Sequence, residues 1–95
     1  MMSDLDEKTA RYESMLAEAI AVASTDDPVE GLPGDPGDEC LEMATAYLDD
    51  GRHFLERNDP VNALAAFSYG YGWLDAGARI GVLDVPRDDE RFTVE

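Results

Sequence analysis

The amino-acid sequence predicts an all-α fold, a three-helix bundle in which the second and third helices form a helical hairpin ahead of a short acidic C-terminal tail. Two observations carry this expectation. Apolar residues recur at alternating steps of three and four through three long stretches, the spacing of one helical face. Between those stretches stand clusters of Pro, Gly, Asn and Asp, which interrupt one helix and cap the next. Ninety-five residues suffice for a single modest core, so residues 1–85 read as one helical domain and residues 86–95 as a charged, frayed tail.

The first helix is expected over about residues 4–24. Ser3 and Asp6 have the spacing of a capping box, with Asp in place of the usual Glu. Leu5, Thr9, Tyr12, Leu16, Ala19 and Ala23 then fall on one stripe. Asp4 with Lys8 and Glu7 with Arg11 are i,i+4 pairs on the opposite side. Residues 25–37, rich in Pro and Gly, must form a loop, either an ordered surface connection or a mobile linker. The second helix is expected over about 38–57, with Leu41, Ala44, Leu48, Gly51 and Leu55 on one stripe and Cys40, Tyr47 and Phe54 beside it. Asn58-Asp59-Pro60 marks a sharp turn: Asp59 can cap orphan amides, and Pro60 fits the first helical position, where a missing N–H costs nothing.

The third helix, over about 60–80, carries two conflicting periods. Phe67-Ser68-Tyr69-Gly70-Tyr71-Gly72-Trp73 alternates large and small like a strand, whereas Leu64, Phe67, Tyr71, Leu74 and Ala78 follow helical steps. The Asp-Pro cap upstream and the Asp75/Arg79 pair downstream decide for helix. Ala65, Ser68, Gly72 and Ala76 then form a stripe of small side chains along which another helix can approach closely. Gly81 is the expected stop, and residues 82–85 are expected to dock as a short extended piece.

Charge excludes several function classes. Twenty-two acidic residues against seven basic ones leave a net charge of −15. Nucleic-acid backbones and anionic membrane surfaces are recognised by Lys and Arg, so neither is an expected partner. Lys8 is the sole lysine. A dense carboxylate surface with so little lysine fits the salt-rich cytoplasm of a halophilic archaeon, where the Debye length falls to about 3 Å at molar salt. The start of the chain is acidic where a secretory signal is basic and then apolar, and the uncharged stretch 61–74 is shorter than a membrane span, so a cytoplasmic location and no membrane contact are expected.

Chemistry-bearing residues are sparse. His53 is the single histidine, thirteen positions from the single cysteine, Cys40; on one helix that is about 20 Å, too far for a shared zinc ion or a nucleophile pair. Cys40 reads as a small buried hydrophobe. Asp26-Asp27, Asp49-Asp50 and Asp88-Asp89-Glu90 lack the ligand pattern of a calcium loop, and no glycine-rich phosphate loop is present. No catalytic, cofactor-binding or metal-binding residues are therefore assigned, and no cofactor is expected. An enzyme would have to gather Tyr47, His53, Asp75 and Arg79 from different helices.

The aromatic cluster Phe67, Tyr69, Tyr71 and Trp73 is the most unusual feature. Alternate positions on a helix point about 200° apart, so the four cannot face one core. Tyr69 and Trp73, with Ser68, Gly72 and Ala76, form the candidate interaction surface for a protein partner or a second subunit. The alternative is a bundle that buries both sides of the third helix.

Residues 46–85, above all the continuous stretch from Asp59 to Arg79, resemble an archaeal family known as domain of unknown function 357. The first helix resembles it more loosely, and the Pro/Gly loop looks like a local extension. The resemblance implies a small helical bundle of archaeal origin with no established activity. A weaker likeness is to one tetratricopeptide hairpin, through Ala63, Phe67 and Gly70; one copy cannot build a solenoid, but it suggests a helix pair able to receive another helix. The expected function is a cytosolic protein-interaction module or homodimer. The alternative is an accessory subunit of an RNA-processing or translation complex that contacts protein rather than RNA.

Overall fold

The computed structural model describes residues 3–24, 35–86 and 88–92 and contains three helices, α1 (Asp4–Val22), α2 (Pro36–Glu56) and α3 (Pro60–Arg79). The chain is an all-α three-helix bundle. Helix α3 packs most extensively against α2 and next against α1, so α2 and α3 form the hairpin and α1 lies across it. The core is built from the stripes read above: Leu16 and Ala19 from α1, Cys40, Ala44 and Leu48 from α2, and Ala63, Phe67, Leu74 and Ala78 from α3.

Each helix begins where a side chain satisfies orphan amides. Ser3 accepts from the Asp6 amide at 3.1 Å while Asp6 reaches back to the Ser3 amide, completing the capping box. Asp59 accepts from the Asn62 amide at 3.1 Å with Pro60 at the first helical position. The second helix differs from expectation. It starts at Pro36, not Asp38, because Asp35 accepts from the amides of Gly37 and Asp38 at 2.8 and 3.3 Å. Asp35-Pro36 is the same cap-and-start dipeptide as Asp59-Pro60. The rest of the expected loop, residues 25–34, lies outside the described residues.

Close approach between helices runs through Gly51 and Gly70. A Cβ at Gly51 would sit 2.2 Å from the Phe67 ring, and one at Gly70 would sit 2.9 Å from Leu16 and 3.2 Å from the Ala44 carbonyl oxygen. Phe67, fully buried, thus fills a notch that only glycine leaves open. Thr9, the buried polar residue of α1, donates its hydroxyl to the Leu5 carbonyl at 2.7 Å and carries no unmet hydrogen bond into the core.

After α3 the backbone turns at Gly81, whose φ of +86° is the left-handed conformation glycine adopts without strain. Leu83 is buried, and Ser24 and Asp84 form an antiparallel bridge with N···O distances of 2.9 and 2.8 Å, so residues 82–85 dock as expected. The tail does not fray at Pro86. Phe92 is 5% exposed, its ring 6.5 Å from that of Tyr71 and nearly parallel to it. The Tyr71 hydroxyl donates to the Arg91 carbonyl, and Arg91 binds Asp89 at 2.5 Å and Glu18 of α1 at 3.1 Å. A single apolar ring, clamped on one side by an arginine, holds the charged segment against the bundle.

Candidate interaction surface

The surface predicted from the sequence lies on the outer side of α3. Between Pro60 and Arg79 only Asp75 and Arg79 carry charge, in a chain where 31% of residues do. Among the described residues the exposed large hydrophobics are Val22, Val61, Tyr69, Trp73 and Ile80. Four of these five belong to α3 or its C-cap, and at 100° per residue they share one side of it. Tyr69 is 66% exposed and Trp73 39%. Ser68, Tyr69, Gly72, Trp73 and Ala76 together line a shallow apolar depression of about 350 Å³. The five residues singled out from the sequence therefore border one depression, and among the described residues Tyr69 and Trp73 stand exposed on α3.

Tyr69 packs across the hairpin on one side. Its ring lies 5.7 Å from that of Tyr47 on α2, with 30° between the planes. On its other side it borders a second hollow of about 200 Å³, lined also by Tyr47, Asp50, Phe54, Asn62, Ala65 and Ala66. Tyr69 is thus a ridge between two hollows. Fixing an aromatic ridge before binding lowers the entropy lost on association. Gly72 contrasts with Gly51 and Gly70: a Cβ there would meet nothing within 4 Å. A mid-helix glycine costs roughly 1 kcal/mol relative to alanine, and nothing in the bundle requires this one.

Of the four residues named for an enzyme, Tyr47 borders the second of these hollows. His53 faces solvent on α2 with Nδ1 3.8 Å from Glu56, and neither hollow is lined by His53, Asp75 or Arg79. Cys40 is buried, and desolvation pushes its thiol pKa up, the opposite of what a nucleophile needs. Among the described residues no three His, Cys, Asp or Glu side chains converge on a metal-sized site. Among them, too, no helix is long and apolar enough to cross a membrane. Two positions now seen to shape the surface, Tyr47 and Asp50, were not part of the predicted site, because their place beside α3 depends on the register of the hairpin and leaves no local signal.

No curated protein and no solved structure matches the chain. The family model described as a protein of unknown function, DUF357, matches residues 11–83, which takes in the candidate surface, α2, α3 and the later part of α1, not only the hairpin that carries the resemblance most firmly: the chain belongs to the DUF357 family.

Proposed function

We propose that this chain is a protein-interaction module of a salt-rich archaeal cytoplasm, and that it works by receiving another helix on the outer face of α3. The observation that supports this most directly is the concentration of exposed large apolar side chains on that one face, Val61, Tyr69, Trp73 and Ile80, in a molecule otherwise covered by carboxylates. Scattered surface hydrophobics are ordinary; a set on one helix face, with Tyr69 and Trp73 bordering one depression, has the composition of an interface centre. The small side chains of Ser68, Gly72 and Ala76 allow a helix to approach, and Tyr69 and Trp73 supply the anchors.

The test is purification of the tagged chain from a haloarchaeal host in molar KCl, with nuclease, beside a Tyr69→Ala/Trp73→Ala variant. A stoichiometric protein, a second copy included, that stays with the native chain and is lost from the variant supports the reading. Equal association of both chains contradicts it, as does a partner released by nuclease.

A further inference from the structure

The occupant of this face can be specified further. Resting on the reading of α3 as a docking face, we infer that its partner is a second copy of the same chain, paired through α3 in an antiparallel register centred between Gly70 and Tyr71.

The central line of the face is Val61, Ala65, Tyr69, Gly72, Ala76 and Ile80. Its spacing of four, four, three, four and four reads the same from either end. An antiparallel copy related by a two-fold axis sees this line reversed, so a symmetric spacing brings every position opposite a position on the same line. Val61 then meets Ile80 of the other copy, Ala65 meets Ala76, and Tyr69 meets Gly72. Each pair suits close packing: two exposed aliphatics at the ends, two methyl groups between, and the aromatic ridge over the glycine whose missing Cβ is unused within the chain.

Charge agrees with the pairing. Two chains of −15 repel, yet the central line of the contact carries no charged side chain, and Asp50 is the carboxylate on its Tyr47 and Phe54 shoulder. The one cation on the face, Arg79, lies at its C-terminal end, opposite Asn62 and within a turn of Asp59 at the partner's N-terminal end. The helix dipoles run in opposition as well. From Val61 to Ile80 the face is about 28 Å long, and with the Tyr47 and Phe54 shoulder about 20 Å wide. That is on the order of 550 Å² per copy, near the lower bound for a specific dimer, so dissociation in the micromolar range is expected.

Sedimentation of the full chain in molar KCl should show a mass rising with concentration from 10.4 kDa toward twice that value. The Gly72→Leu variant, whose added Cβ meets nothing within 4 Å in its own chain, should stay folded by circular dichroism and raise the dissociation constant at least tenfold. Register is read by cysteine cross-linking. Ala65 and Ala76 are eleven residues apart, about 16 Å along one helix, too far to bridge within a chain. Oxidation should therefore trap a covalent dimer of the Ala65→Cys/Ala76→Cys double variant and of neither single variant. A native chain that stays monomeric to millimolar concentration overturns the inference; so do single variants that cross-link as well as the double, or a dimer indifferent to Gly72→Leu. If the chain is monomeric but still loses a different stoichiometric protein on Tyr69→Ala/Trp73→Ala, only the second copy is refuted. If no partner is lost either, the docking face falls with it.

Discussion

Glycines separate what the bundle needs from what its surface offers. Gly51 accommodates the Phe67 ring at a distance no Cβ tolerates, while Gly72 faces open space. Opposite effects follow from the same substitution. Gly51→Ala should destabilise the fold by about 1–3 kcal/mol through overpacking, and Gly72→Ala should stabilise it by up to about 1 kcal/mol through helix propensity, both measured by thermal unfolding in molar KCl. Tyr71 makes a second residue-level prediction. Burial, with Asp75 and Asp89 nearby, pushes its pKa from 10.0 to about 12. The unfolded chain therefore ionises first. Tyr71 contributes stability that is fully present below pH 10 and lost as the pH rises through 12, so Tyr71→Phe should flatten the alkaline fall in unfolding midpoint relative to the native chain. The exposed pair Tyr69 and Trp73 was legible in the sequence because helical geometry forbids four alternate aromatics from sharing a core. The Gly51–Phe67 contact was not, since it depends on how α2 and α3 align along their lengths.

At the scale of elements, the helices follow local chemistry and the tail follows distant packing. All three starts are carboxylate or hydroxyl caps, two of them followed by proline. Asp35→Ala should cost about 1 kcal/mol and uncover hydrogen exchange in the first turn of α2. The start of α2 was present in Asp35-Pro36 but obscured by a run of prolines and glycines that reads as loop throughout. The tail is a different case. Its charges indicate fraying, and only Phe92 argues against it; that ring finds its place because Tyr71 and the core cluster it joins come together only in the folded bundle. Phe92→Ala should lower stability by roughly 3 kcal/mol, within the range for removing a buried aromatic ring. Arg91→Ala, which removes surface ion pairs to Asp89 and Glu18, should cost much less, and its effect should shrink as salt rises. Equal losses for the two variants would show that the clamp, not the ring, holds the tail.

The whole molecule balances a neutral face against a charged remainder. At −15 its surface repels itself, over a Debye length of about 10 Å at 0.1 M salt and about 3 Å at 1 M. Added KCl should therefore raise the unfolding midpoint and strengthen association together; an interaction held mainly by salt bridges would weaken instead. Association through α3 covers its outer face, and Trp73, the single tryptophan, reports this directly. Its emission should be followed from micromolar to millimolar protein in molar KCl. A blue shift that grows with concentration in the native chain, and that needs at least tenfold more protein in Gly72→Leu, is the predicted result. Emission that stays constant while the mass doubles would place the contact elsewhere and rule out docking through α3.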